Sequence, residues 1–193
     1  MLVIDRKFVL EWACSYDMQF NMGHAKREED AVRRWLSTIP EPKYLNKEMF
    51  VCLCCWKSAR PRKHYEANTE ETIEKVTSQA YQMRNALDKL KLLDAKLKGV
   101  GVAVAACILH YLQPDEYPIF DYHATNTLRE AGLWTREKGG ASSGNKAWLD
   151  YVGLMRNLSR ELSVTLRELD KALFAYDKKY PLWKHCPSKG KIA

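Results

Sequence analysis

The most informative part of the sequence is Lys96-Leu97-Lys98-Gly99-Val100-Gly101-Val102-Ala103-Val104-Ala105-Ala106-Cys107-Ile108-Leu109-His110-Tyr111-Leu112, followed by Tyr117-Pro118-Ile119-Phe120-Asp121-Tyr122-His123. Gly99 and Gly101 predict a tight turn, because glycine accepts positive φ and lets another backbone approach closely. The apolar run from Val100 to Leu112, interrupted only by His110, predicts a helix that is buried on all sides. The first amides of this helix point back at the glycine turn, where they can bind an anion such as a phosphate.

The segment Leu97-Lys98-Gly99-Val100-Gly101 resembles the Leu-Pro-Gly-Val-Gly hairpin of the helix-hairpin-helix (HhH-GPD) DNA glycosylase superfamily, typified by endonuclease III. Phe120-Asp121-Tyr122-His123 matches the Asp-x-His part of the catalytic segment in that family, at the interval from the hairpin that the family leads us to expect. A lone Gly-x-Gly would be weak evidence, whereas this combination is more specific. The resemblance covers residues 92–131 well and 46–60 loosely, and it covers the rest only by its helical character.

The resemblance implies that Asp121 is the catalytic carboxylate of a DNA N-glycosylase. Cleaving an N-glycosidic bond builds positive charge on the sugar, and a carboxylate placed beneath the sugar stabilises that charge and can orient a water molecule. The alternative is that Asp121 serves only as the N-cap of the next helix, which is a common role for aspartate.

Two departures from the family pattern shape the expected chemistry. Bifunctional members carry a lysine two residues after the second hairpin glycine, where this chain has Ala103, and nothing in the sequence places Lys57 or Lys98 at a sugar carbon. We therefore expect a monofunctional enzyme that uses water and cleaves no strand. The C-terminal region contains only Cys186, so the iron–sulfur cluster of endonuclease III-like members is not expected. No cofactor is required, and the spacing within Cys52-Leu53-Cys54-Cys55 favours core cysteines over a zinc site.

The hairpin is the expected anchor for the DNA backbone. By the resemblance, the amides of Gly99, Gly101 and Val104 contact a phosphate, and Lys98 and Val100 belong to the same binding segment. The backbone carbonyls of Ala95, Leu97 and Val100 would hold a monovalent cation, K⁺ or Na⁺, that bridges to the phosphate. A glycine turn that leads into a helix N-terminus concentrates unpaired N–H groups whatever its ancestry. The alternative is a hairpin that only packs two helices together.

Two further groups of residues are candidates for DNA contacts. Residues 50–58 occupy the place of the family helix that ends in a wedge, and an enzyme that flips a base must fill the gap it leaves. The candidate wedge or phosphate contacts are Trp56, Lys57, Ser58 and Arg60, although Trp56 also fits a core position. Tyr122 and His123 are candidates for a base pocket, with a hydrogen-bonded structural role as the alternative for His123.

The whole chain is predicted to be all-α, with about 8–10 helices in one compact or two-lobed domain over residues 1–180. Residues 136–146 form the only loop-like, low-complexity stretch and are expected to be mobile, and the basic tail 181–193 is expected to fray. Apolar spacing, caps and prolines predict helices at about 5–18, 26–38, 46–58, 70–87, 87–96, 100–112, 122–131, 146–162 and 165–178.

Composition and charge agree with a partner that is a polyanion. The chain has 193 residues, a formal net charge of +7 and no apolar run long enough to span a membrane. We expect a cytoplasmic, nucleoid-associated monomer that binds double-stranded DNA. Two other classes remain open: a non-catalytic DNA-binding module that kept the hairpin, and a structural protein in which the glycine turn merely joins two helices.

Overall fold

The structure is a computed structural model that describes residues 2–20, 23–135 and 144–181. Over these ranges the chain forms ten α-helices and no strand, which confirms the all-α prediction. Most of the loop predicted at 136–146 and of the tail at 181–193 lies outside the described residues. The helices are α1 Arg6–Gln19, α2 Gly23–Thr38, α3 Lys47–Lys57, α4 Arg62–Glu66, α5 Glu70–Gln82, α6 Ala86–Lys96, α7 Val102–Leu112, α8 Tyr122–Glu130, α9 Gly144–Leu162 and α10 Leu166–Lys179.

The apolar helix predicted after the glycine turn is the centre of the molecule. Every residue of α7 from Val104 to Leu112 is buried, and α7 packs against α2, α3, α5, α6 and α9. A single cluster of buried apolar side chains takes residues from all ten helices. This burial on all sides is what a helix without a polar face requires.

The largest difference from the sequence-based expectation lies at the end of α5. The helix predicted to run to residue 87 ends at Gln82, because Met83 is extended and Asn85 starts a new helix. The Asn85 side chain accepts hydrogen bonds from the amides of Leu87 and Asp88 at 2.9 and 3.1 Å, which is the normal action of an N-cap. The short helix α4, Arg62–Glu66, was not predicted.

The packing of the helices brings distant parts of the sequence together around one cleft. Helix α1 lies along α10, α10 also packs on α8, and α3 packs on α2, α4 and α7. As a result the carboxyl end of α3 and the amino end of α8 both reach a cleft that α1, α2 and α10 complete. None of the helices in the described ranges is long and apolar enough to cross a membrane.

Candidate active site

Asp121 has two partners at the start of α8. Its Oδ1 accepts a hydrogen bond from the amide of His123 at 2.8 Å, so the residue caps the helix. Its Oδ2 lies 2.5 Å from the Nζ of Lys57, the last residue of α3. Asp121 therefore does act as a helix N-cap, the role that the sequence offers as the alternative to catalysis. Capping uses only one of its two carboxylate oxygens.

The ion pair of Lys57 with Asp121 is largely withdrawn from solvent. The Lys57 side chain is 10% exposed and that of Asp121 is 20% exposed. Burial pushes the pKa of Asp121 upward, but the Lys57 ammonium and the hydrogen bond from His123 outweigh burial and lower that pKa. Burial likewise acts to lower the pKa of Lys57, but the Asp121 carboxylate overrides it, so the pKa of Lys57 is raised. Both groups are charged at neutral pH.

The pair lines a cleft of about 570 Å³, a size typical of small-molecule sites. Aromatic side chains from three helices form much of its wall: Tyr16 of α1, Trp56 of α3 and Phe174 of α10. The rings of Tyr16 and Phe174 meet edge to face with centroids 5.5 Å apart. A cleft with aromatic walls and a charged pair can hold a planar, polar ring such as a nucleobase.

A buried network of charged side chains supports the side of the cleft that α10 forms. Arg167 donates to Glu29 Oε2 at 2.9 Å and to Asp170 Oδ2 at 2.5 Å, and its guanidinium lies over the rings of Tyr16 and Trp56. Burial favours the neutral form of Glu29, but Arg167 and Arg33 overcome this effect and lower the pKa of Glu29 to about 2. Burial raises the pKa of Asp170 to about 6 in spite of Arg167.

The hairpin has the geometry that the glycines predict. Gly99 has a φ of +82°, whereas Gly101 is extended and is the N-cap of α7. Among the described residues no side chain caps α7, so its first amides have no side-chain acceptor. Lys98, Gly99 and Gly101 are exposed, whereas the side chains of Val100 and Val104 are buried, which leaves only their backbone for a ligand.

Asn68 fastens the hairpin to α4, a contact that no sequence pattern predicts. Its Oδ1 accepts from the Lys98 amide at 2.8 Å, and its Nδ2 donates to the Lys98 carbonyl at 3.1 Å. The same amide group also donates to the carbonyls of His64 and Tyr65 at 3.0 and 2.9 Å. The buried Asn68 therefore fixes the position of the exposed turn.

Two of the four candidate wedge residues lie in the cleft and two lie outside it. Trp56 and Lys57 line the cleft, whereas Ser58 and Arg60 do not. Ser58 ends α3 with its amide bonded to the carbonyl of Cys54, and Arg60 is exposed on the following turn. Trp56 also packs edge to face on Tyr111, with centroids 6.0 Å apart, so it contacts both the core and the cleft.

The two candidate pocket residues lie outside the cleft lining. Tyr122 is 52% exposed at the start of α8. His123 has its Nδ1 2.5 Å from Asp177 Oδ2 and its ring against Phe174, with centroids 4.9 Å apart. These contacts match the structural alternative for His123, because they fix the end of α8 against α10.

The hairpin carbonyls are the only metal ligands that the resemblance to the glycosylase family implies. Within the described ranges, no group of three or more His, Cys, Asp or Glu side chains is placed to hold a metal ion. The Leu97 carbonyl accepts from the Val100 amide at 3.2 Å across the turn and keeps a second lone pair. The monovalent-cation site at Ala95, Leu97 and Val100 stays a prediction, and Cys186 lies outside the described residues.

Several residues of the site could not be found by sequence reasoning. Arg167 and Asp170 follow the Thr165 cap of α10 and fit ordinary polar positions of an amphipathic helix. Their role depends on Glu29, which is 138 positions away from Arg167. The one available signal is that Arg167, Asp170 and Phe174 recur at spacings of three and four, and so share one helix face.

No protein-family model matches, and a search of curated proteins finds no significant match. Among solved structures, the chain is similar to the 8-oxoguanine glycosylase/lyase of Methanocaldococcus jannaschii, crystallised in complex with a 15mer DNA that contains 8-oxoguanine. The sequence identity is 15% and the TM-score 0.49, with 90% of this chain and 82% of that chain covered.

Proposed function

We propose that this protein is a DNA base-excision enzyme, an N-glycosylase-like hydrolase that acts on a damaged or mispaired base in double-stranded DNA. The observation that carries the proposal is the position of the Asp121 carboxylate in a cleft of about 570 Å³ with aromatic walls. A base turned out of the duplex would stack on those walls, and its sugar would lie against the carboxylate. Asp121 would stabilise the positive charge that develops as the base departs and would orient the attacking nucleophile.

The hairpin would hold the DNA backbone while the base is in the cleft. Exposed backbone at Gly99 and Gly101, together with the first amides of α7, suits a phosphate oxygen, and Lys98 adds a positive charge. Such contacts would fix the register of the DNA without reading its sequence. A K⁺ or Na⁺ ion on the carbonyls of Ala95, Leu97 and Val100 would strengthen the same contact, and the enzyme would act as a monomer.

The expectation of a monofunctional enzyme depends on Ala103, which occupies the place of the family lysine. The proposal keeps base excision as its core, because that step requires only the carboxylate and a nucleophile. Water is the nucleophile that the sequence suggests, whereas the amine of Lys57 beside Asp121 weighs against a role for water alone.

Single-turnover excision tests the proposal. The protein and Asp121→Asn would be incubated with duplexes that each contain one uracil, hypoxanthine, oxidised purine, alkylated purine or mismatch, and alkali would then reveal abasic sites. Asparagine retains the cap of α8 and removes the charge. We expect excision of at least one lesion by the wild type and a loss of at least a hundredfold in the variant. Excision that is equal in the two proteins would refute the role of Asp121.

A non-catalytic DNA-binding module is the second candidate, and one observation favours it: Lys57 already neutralises the Asp121 carboxylate. This candidate predicts salt-dependent DNA binding with no excision of any lesion. Replacing Lys98 by Gln should reduce the slope of log K against log salt by about 1 under either candidate. The exposed Lys7, which lies outside the hairpin, provides a matched control as Lys7→Gln.

A further inference from the structure

The cleft contains a fixed amine next to its carboxylate. Two lysines, Lys57 and Lys178, line the cleft in the part of the chain that the structure describes. Lys178 is exposed on α10, whereas the Lys57 side chain is 10% exposed and its Nζ lies 2.5 Å from Asp121 Oδ2. Lys57 is thus held beside the group proposed to face the sugar, although it comes from a different helix than the hairpin residues.

We propose that Lys57 is the nucleophile of this enzyme: its amine attacks C1′ of the sugar, forms a Schiff base and gives the protein strand-cleaving activity at abasic sites. The inference rests on the proposed function, since Asp121 must face a deoxyribose for Lys57 to reach it. It also replaces the expectation that the alanine at position 103 excludes an amine mechanism.

Folding alone does not account for the ion pair. The Asp121 carboxylate already caps α8 through its Oδ1, and capping needs no lysine. Withdrawing an ammonium and a carboxylate from water costs free energy that their attraction repays only in part. The pair also lines the open cleft rather than the apolar core around α7. Perturbed and paired groups of this kind in a cleft are typical of functional sites.

The chemistry balances with the groups present. The Lys57 ammonium gives one proton to the departing base by way of Asp121, the bond from C1′ to the base breaks with its electron pair on the base, and Nζ bonds to C1′. The nitrogen then passes a proton to O4′ as the bond from C1′ to O4′ breaks, which leaves an iminium. Loss of a proton from C2′ expels the 3′ phosphate, and water finally hydrolyses the iminium and releases the lysine.

Borohydride trapping on abasic DNA tests the inference without any excision step. Full-length protein would be mixed with a duplex that contains one abasic site and sodium borohydride, which reduces an iminium to a stable amine. Covalent adducts would be measured on denaturing gels and located by peptide mass spectrometry. Lys57→Arg is the key variant, because arginine keeps the charge beside Asp121 but cannot lose its proton to become a nucleophile. Lys178→Gln is the matched control in the same cleft.

We expect adducts on Lys57 in the wild type and in Lys178→Gln, and at least a hundredfold fewer in Lys57→Arg. Circular dichroism and thermal unfolding would establish that Lys57→Arg is folded. Adducts that persist in Lys57→Arg, or that map to Lys178 or to the N-terminal amine, would overturn the inference. Excision of a lesion by the wild type without trapping would overturn it while leaving the proposed function intact. Trapping without excision of any lesion would support the inference and count against the glycosylase proposal.

Discussion

Asn68 and Lys98 form a reciprocal pair of hydrogen bonds between a side-chain amide and a backbone peptide. The Lys98 amide donates to Asn68 Oδ1 at 2.8 Å, and Asn68 Nδ2 donates to the Lys98 carbonyl at 3.1 Å. Since the Asn68 side chain is buried and bonded to α4 as well, it determines where the exposed hairpin lies.

Replacing Asn68 by Ala should lower the free energy of unfolding by about 2–4 kcal/mol, because the Lys98 amide and carbonyl and the His64 carbonyl lose their hydrogen bonds to a side chain that is itself buried. Urea unfolding would measure the change, and hydrogen exchange would show faster exchange of the Lys98 amide. Asn85→Ala removes an ordinary exposed cap and should cost only about 1 kcal/mol. Equal costs for the two variants would contradict the special role of Asn68.

Replacing Gly99 by Ala should destabilise the protein by about 2–4 kcal/mol. Residue 99 has a φ of +82°, and a Cβ there would lie 2.9 Å from His64 Cβ, so backbone strain and a steric clash act together. Gly101→Ala is the matched control, because residue 101 is extended and a Cβ added there would have no neighbour within 4 Å. Thermal unfolding should show a loss of less than about 1 kcal/mol for that control. A larger loss at position 101 than at 99 would be the contrary result.

Lys57 and Asp121 should be strongly coupled in stability. Removing one partner leaves a buried charge unpaired, so Lys57→Met and Asp121→Asn should each cost about 3–5 kcal/mol, whereas the double variant should cost clearly less than the sum. Urea unfolding of the four proteins of this cycle gives the coupling energy. Additive losses would show that the two side chains do not interact in solution as they do in the structure.

Sequence reasoning was effective where the information is local. The buried helix α7, the positive φ of Gly99 and the capping oxygen of Asp121 all depend on residues within a few positions of one another. Apolar spacing, glycine and cap residues carry that information directly. For the same reason, nine of the ten helices in the described residues were predicted from the sequence, and the short helix α4 was not.

The contacts that form the site join residues far apart in the sequence, and no sequence pattern predicts them. Lys57 meets Asp121 across 64 positions, and Arg167 meets Glu29 across 138. Each of these side chains also fits an exposed helix face, where most charged residues lie. Only the packing of α3, α8 and α10 around the cleft decides that these charges face inward.

The stability of the protein should depend on pH through buried groups whose effects oppose each other. Burial lowers the pKa of His110 from 6.5 to about 3, so below pH 6.5 the unfolded chain binds a proton that the folded protein does not bind. Burial raises the pKa of Asp170 from 3.8 to about 6, so below pH 6 the folded protein binds a proton that the unfolded chain does not. The first effect destabilises the fold as pH falls, and the second stabilises it.

These two effects cancel between about pH 6 and pH 4, so the wild-type free energy of unfolding should change little there. Below about pH 4 the free energy of unfolding should fall steeply. Asp170 is then protonated in both the folded and the unfolded state, so it no longer compensates for His110. His110 and Glu29, whose pKa is about 2 in the fold, both take up a proton more readily in the unfolded chain. Asp170→Asn removes the compensating proton, so its stability should decline from pH 6 by about 1.4 kcal/mol per pH unit. Adding His110→Gln should restore a flat profile. Guanidinium unfolding at each pH measures these slopes. If the free energy of unfolding of the Asp170→Asn single variant did not change with pH, His110 would have to bind a proton equally well in the folded and the unfolded state.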